Sequence, residues 1–277
     1  MQYKFALIGY PITHSLSPWI HKHFLQATNI EGSYTIYEIS PEKDFANEME
    51  KLKKEEFHGF NITVPYKEKI IPYLDEVDSQ AKKIGAVNTV LQKDGRWIGY
   101  NTDGIGYVRA LFHKFQELRE TKNIKILLLG AGGAAKGILH ALLHEGFQHI
   151  TIANRSLERA EILAKAREGI EAISLDEAAQ RLDRFSLIIQ TTSVGMKPKE
   201  EDVIISLENI KENTIVSDIV YQPIETRFLQ EAKERGARIH YGHSMLLYQA
   251  QYAFEIWTEK EPDAQSLDEK LKQTLEG

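Results

Sequence analysis

The apolar run Lys125–Leu129 passes directly into Gly130, Ala131, Gly132, Gly133, Ala134 and Ala135, and no other stretch limits the possible folds as tightly. Gly130, Gly132 and Ala135 fill the three small positions of G-x-G-x-x-[GA]. The first permits a tight turn, the second lets backbone N–H groups approach a pyrophosphate, and the third lets the next helix pack closely on the strand with its N-terminus toward the phosphates. A glycine turn by itself carries little weight. Here a strand precedes it, an amphipathic helix over 134–144 follows, and a further strand over 150–153 completes a βαβ unit, so the segment predicts dinucleotide binding.

The strand over 150–153 runs into Asn154-Arg155-Ser156, where an NAD site calls for an acid on the ribose hydroxyl. No carboxylate is present. Arg155, with Arg159 one turn later, suits a 2′-phosphate, because guanidinium makes paired charge-assisted bonds to phosphate oxygens. The alternative is that both arginines are solvated at a helix N-terminus, where cations are slightly disfavoured. The pattern ranks NADP above NAD.

Apolar runs alternate with helical spacing along the whole chain. Strands are expected over 4–8, 33–39 and 59–64, with helices after Ser17-Pro18 and over 45–54 and 65–74, in the rhythm of a parallel sheet. Residues 87–92 and 97–100, joined by Lys93-Asp94-Gly95-Arg96, read as a hairpin, and Ile105, Val108, Phe112, Phe115 and Leu118 mark a helix leading onward. Beyond the glycine turn come a helix over 157–166 and strands over 171–174, 187–190, 214–219 and 238–240. The resulting six parallel strands predict a doubly wound, Rossmann-type sheet. From His243 the pattern is helical and packs back on the first domain. The expectation is an α/β chain of two domains, one discontinuous over 1–103 and 238–277 and one over 104–237, which 277 residues accommodate.

The net charge of −6 arises from 40 acidic and 34 basic residues without a basic stripe, so nucleic acid is not an expected partner. There is no cysteine, which excludes disulfides, thiolate metal sites and a cysteine nucleophile, and the chain reads as metal-free. The opening MQYKFALIGYPITHS lacks the apolar core of a signal peptide, and no window has the length of a membrane span. The expectation is a cytoplasmic protein with a small-molecule substrate and no membrane partner, monomer or homodimer.

Reduction of a ketone by NADPH needs a group that gives a proton to the developing alkoxide, which leaves Lys, His, Tyr or a carboxylate. Lys67 follows Thr63-Val64-Pro65, and Pro65 at a first helical position would put the lysine in the first turn, where the macrodipole disfavours a cation. Composition alone makes it a surface lysine in Lys67-Glu68-Lys69. Asp103, before an apolar periodic run, reads by default as an N-cap, as does Ser17 before Pro18. Ser15 and Ser17 together offer two hydroxyls to a carboxylate. Gln249 lies on an apolar helix face with Met245, Tyr252 and Ile256, where its amide needs partners.

Taken together, these segments resemble the shikimate dehydrogenase family over nearly the whole chain. GYPITHSLSPWIH at 9–21 is similar to the opening signature, in which Ser15 and Ser17 would bind the substrate carboxylate. NITVPYK at 61–67 implies Thr63 at the substrate and Lys67 as the catalytic lysine. GAVNT at 85–89 implies Asn88 at the substrate hydroxyls, and NTDGIG at 101–106 implies Asp103 paired with Lys67. GAGGAA at 130–135 and NRSLER at 154–159 match the NADP turn and the 2′-phosphate segment. DIVYQPIET would place Tyr221 at the substrate and Ile219 near the nicotinamide, while YGHSMLLYQA would bring Gly242 to the cofactor and Gln249 to the substrate. Two departures stand out: the family's NATS reads Gln190-Thr191-Thr192-Ser193, and Gly242 is followed by His243-Ser244. The resemblance implies interconversion of 3-dehydroshikimate and shikimate with NADP, in the shikimate pathway of aromatic amino-acid biosynthesis. The alternatives are a quinate/shikimate dehydrogenase and a non-catalytic dinucleotide sensor on the same scaffold. A sensor has no need of the Lys67–Asp103 pair.

Overall fold

A computed structural model describes residues 2–276, with the strands gathered into two six-stranded sheets. Internal contacts divide the chain into a first unit, of residues up to Gly106 with Leu247–Leu267, and a second, of Tyr107–Leu246 with residues from Asp268 onward.

In the first unit, β1 (Tyr3–Gly9), β2 (Gly32–Glu38), β3 (Gly59–Ile62), β4 (Glu76–Val77), β5 (Thr89–Lys93) and β6 (Arg96–Tyr100) lie in the order β2-β1-β3-β5-β6-β4. β1 runs parallel to β2 and β3, but β5 is antiparallel to both β3 and β6, so the sheet is mixed rather than parallel throughout. The reason is local. Asp94 (φ 51°) and Gly95 (φ 74°) make a two-residue turn with both central residues left-handed, which forces adjacent antiparallel strands. The helices α1 (Ser17–Ala27), α2 (Phe45–Lys54) and α3 (Ser79–Ile84) accompany the sheet. The Asp44 carboxylate caps α2 at Ala46 N–H, and Met49 and Leu52, three residues apart, turn into the core.

Three expectations fail here. Residues 65–74 form turns and a short 3₁₀ segment at Ile71–Tyr73 instead of an α-helix, because Pro72 has no N–H and its ring would strike the carbonyl one turn back. Tyr66 is instead buried, its hydroxyl donating to the Ile39 carbonyl at 2.7 Å. Ser17 is not an N-cap: Leu16 takes that position, and the Ser17 N–H donates to Ser15 Oγ at 3.2 Å. Asp103 likewise opens α4 (Asp103–Lys114) as its first residue, since Gly106 N–H donates back to Thr102 O at 2.9 Å, making Thr102 the cap. The Asp103 carboxylate is thereby released from capping.

In the second unit, β7 (Lys125–Leu129), β8 (His149–Ala153), β9 (Glu171–Ile173), β10 (Leu187–Gln190), β11 (Ile215–Asp218) and β12 (Arg238–His240) form a parallel sheet of order β12-β11-β10-β7-β8-β9. Read from β9, this is the 3-2-1-4-5-6 order of a doubly wound dinucleotide fold. On β7, Ile126 and Leu128 enter one core and Leu127 and Leu129 the other, the period-two split of a central strand covered on both faces. The helices are α5 (Gly133–His144), α6 (Leu157–Ala164), α7 (Leu175–Gln180) and α8 (Arg227–Glu234), followed by α9 (Gly242–Thr258) and α10 (Gln265–Glu276). The divisions between units fall inside α4, α9 and α10, not at 103/104 and 237/238. β12 stays with the second unit because Arg238–His240 pairs in register with Ile215–Ser217.

Candidate active site

A buried polar network in the first unit ends in an ion pair. Lys67 Nζ lies 2.6 Å from Asp103 Oδ2, with the two side chains 30% and 20% exposed. The lysine backbone is fixed by Val87 N–H donating to its carbonyl at 2.8 Å. The other carboxylate oxygen of Asp103 accepts Asn88 Nδ2 at 2.8 Å. Asn88 is buried and its amide is bonded at both atoms: Nδ2 also donates to Thr102 Oγ1 at 2.9 Å, while Oδ1 accepts Thr102 N–H at 2.8 Å and the Thr89 hydroxyl at 3.0 Å. A carboxylate held by two partners has little rotational freedom, so the ammonium it anchors is held in place as well.

The network reaches back through residues that the sequence reading missed. Asn61, buried on β3, donates Nδ2 to Asn88 O at 3.1 Å and to Thr89 Oγ1 at 3.0 Å, and its Oδ1 accepts the Tyr34 hydroxyl at 2.8 Å. The signal was an amide between Phe60 and Ile62 in a strand buried at every position, where a polar side chain must find partners. Burial pushes the Tyr34 phenol well above its usual range, with the Ser17 hydroxyl beside it pulling the other way. Ser15 Oγ and Ser17 Oγ are 3.2 Å apart at the start of α1. Thr63, just past β3, donates its N–H to Ile8 O at 2.9 Å. Gln249 on α9 sits at a close crossing with α4: a Cβ on Gly106 would lie 2.7 Å from Gln249 Cβ and nearer still to its backbone. Ser15, Ser17, Thr63, Lys67, Asn88, Asp103 and Gln249 therefore share one unit, whereas Tyr221 belongs to the other.

In the second unit the glycine turn has the form expected of it. Gly130 has φ +114°, and a Cβ there would also meet Thr191 Oγ1 at 2.6 Å, so only glycine fits. Gly132 caps α5 without a side-chain acceptor, and α5 begins at Gly133, one residue before the expected start. A Cβ on Gly132 or Gly133 would meet no atom within 4 Å. The first-turn N–H groups thus present backbone and positive dipole to one side, which fits a pyrophosphate. Ala131 and Ala134 flank the turn partly exposed, and Ala135 is buried against the sheet. After β8, Asn154 Nδ2 closes a turn on Ser156 O at 2.9 Å. Arg155 and Arg159 are exposed and make no ion pair among the described residues. Past β11 come Ile219 and the mostly buried Tyr221, whose phenol burial pushes up. Gly242, at the start of α9, presses on this loop, its missing Cβ lying 2.6 Å from the Ile219 carbonyl carbon.

A doubly wound sheet with this turn, together with a unit that presents a lysine–aspartate pair, defines a nicotinamide-dependent dehydrogenase of the two-unit α/β class. Family models agree: residues 7–90 match a shikimate dehydrogenase substrate binding domain, 113–227 a shikimate / quinate 5-dehydrogenase, and 242–272 a shikimate 5′-dehydrogenase C-terminal domain. A shikimate dehydrogenase (NADP(+)) from Oceanobacillus iheyensis is 55% identical over 277 residues, covering 100% of both chains. The chain belongs to the shikimate dehydrogenase family. Among solved structures, the shikimate 5-dehydrogenase of Thermus thermophilus, in complex with NADP(H) and shikimate, superposes with a TM-score of 0.87 at 35% identity, covering 99% of each chain. The quinate dehydrogenase of Corynebacterium glutamicum in complex with NAD gives 0.89 at 28% identity, covering 98% of this chain and 99% of that one.

Proposed function

We propose that this chain reduces 3-dehydroshikimate to shikimate reversibly with NADPH, and that Lys67 and Asp103 are its catalytic pair. The observation that carries the assignment is the 2.6 Å contact between Lys67 Nζ and Asp103 Oδ2, anchored from behind by Asn88. An ammonium held beside the reacting oxygen stabilises negative charge that develops in the transition state more than it stabilises the neutral ketone. Lys67 gives a proton to that oxygen in reduction and takes it back in oxidation, while Asp103 orients the ammonium. Family resemblance assigns Ser15 and Ser17 to the substrate carboxylate, and Thr63, Asn88, Tyr221 and Gln249 to its hydroxyls. NADPH supplies the hydride. Residues 130–134 hold its pyrophosphate, Asn154, Arg155 and Arg159 its 2′-phosphate, and Ile219 and Gly242 its nicotinamide end. The same reading makes the protein a cytoplasmic enzyme, monomer or homodimer; no helix among the described residues is long and apolar enough to cross a membrane.

The test is an assay of shikimate and quinate, each with NADP and with NAD. The expected result is efficient turnover of shikimate with NADP, since the turn at 154–156 offers no acid to a ribose hydroxyl. Arg155→Ala should weaken NADP by about ten-fold or more and leave NAD nearly unaffected, as one charge-assisted bond contributes roughly 1.5–3 kcal/mol. Equal efficiency with both cofactors contradicts the 2′-phosphate assignment, and preferential oxidation of quinate contradicts the substrate.

A further inference from the structure

The second unit buries one carboxylate to which the proposed reaction gives no task. Asp218, the last residue of β11, has 0% exposure, and three donors converge on it. Its Oδ1 accepts Val220 N–H at 2.9 Å and Gln190 Nε2 at 3.2 Å, and its Oδ2 accepts the Thr226 hydroxyl at 2.8 Å. These donors come from the loop after β11, the end of β10 and the N-cap of α8, where Thr226 Oγ1 in turn accepts Leu229 N–H. Gln190, itself buried, extends the brace: Nε2 also donates to Val194 O at 3.0 Å, Oε1 accepts Thr192 N–H, and its backbone carbonyl accepts Ile219 N–H at 3.1 Å. Burial pushes the carboxyl up to about 7 against the pull of Val220, Thr226 and Gln190, so the group is held at a cost in stability. An apolar residue of similar size would suit a core better.

What the carboxylate gains is control of two loops. One carries Thr191 and Thr192, which lie over Gly130 of the glycine turn; the other carries Ile219 and Tyr221 and is packed against Gly242. We infer that Asp218, working through Gln190 and the Val220 N–H, is a positioning residue for hydride transfer, fixing the loop that faces the nicotinamide end while leaving the adenosine end to the glycine turn and the arginines. The inference rests on the cofactor reading above. It also gives the Gln190 departure a purpose, because an asparagine is one methylene shorter and does not span Asp218 and the Val194 carbonyl together.

The test uses the intact enzyme and three variants, Asp218→Ala, Asp218→Asn and Gln190→Asn, with kcat measured for shikimate with NADP and affinity measured for adenosine 2′,5′-bisphosphate, which lacks the nicotinamide. Asp218→Ala should lower kcat by about ten-fold or more, since a 1 Å misplacement can cost ~100-fold, with bisphosphate affinity unchanged. Asp218→Asn keeps an acceptor for Val220 and Gln190 and can donate to the Thr226 oxygen, so it should stay within about three-fold of the parent. Gln190→Asn should lose kcat several-fold with the same unchanged bisphosphate affinity, and it decides the matter if Asp218→Ala fails to fold. Parent-like kcat in both Asp218→Ala and Gln190→Asn overturns the inference, as does a loss shared equally by kcat and bisphosphate affinity. A parent enzyme inactive toward shikimate with NADP overturns the functional reading instead.

Discussion

His21 on α1 carries an imidazole with no access to water, stacked on Tyr34 at 4.3 Å and 5° and flanked by Phe24, Phe254 and Trp257. Burial lowers its pKa from 6.5 to about 3, because a charged ring cannot be solvated there. The folded state therefore refuses a proton that the unfolded chain accepts, and the stability this residue contributes is full above pH 6.5 and lost as pH falls toward 3. His240, fully buried in the second unit and also lowered to about 3, acts in the same sense. Asp218 acts in the opposite one, since its raised pKa makes stability fall as pH climbs from 3.8 to about 7. A substitution compared with its parent separates these contributions. His21→Phe should flatten the dependence of the urea midpoint on pH between about 7 and about 4, leaving the part due to His240. An unchanged slope would mean that His21 takes up its proton in the folded protein.

At the scale of elements, the sequence makes the long strands and helices legible and hides the short or interrupted ones. The run Lys125–Leu129 and the helix Phe45–Lys54 are read correctly to the residue, because several apolar positions at one period leave no other solution. α3 and α7 are six residues each, too short for periodicity to mark them, and α8, of eight, is not read from the sequence either. Each nonetheless carries a capping side chain, Asp78, Ser174 or Thr226, that marks its start. Of the proposed site, the lysine–aspartate pairing is legible only through family resemblance, since two residues 36 apart share no local signal. The crossing of α4 and α9 is equally invisible in the sequence, although Gly106 marks it in the structure. Gly106→Ala would drive a methyl into the backbone of Gln249, so it should cost about 1–3 kcal/mol of stability and raise the KM for shikimate more than that for NADP. Thermal unfolding and steady-state kinetics on the variant decide this; a parent-like shikimate KM would remove Gln249 from the substrate.

For the molecule as a whole, the proposed division of labour follows the division of the chain. Lys67, Asp103 and their braces Asn88, Asn61 and Thr102 all belong to the first unit, while the glycine turn, Arg155 and Arg159 all belong to the second. Proton handling and dinucleotide binding should therefore be separable by mutation, even though one reaction needs both. The most direct test of that separation is kcat and NADP affinity measured for Lys67→Ala, Asp103→Ala and the double variant. Each single substitution should lower kcat by about 10²–10⁴-fold with NADP affinity unchanged. The double variant should be little worse than either single one, because the two residues act as a unit. A near-parent kcat in Lys67→Ala, or losses that multiply in the double variant, would contradict the catalytic pair.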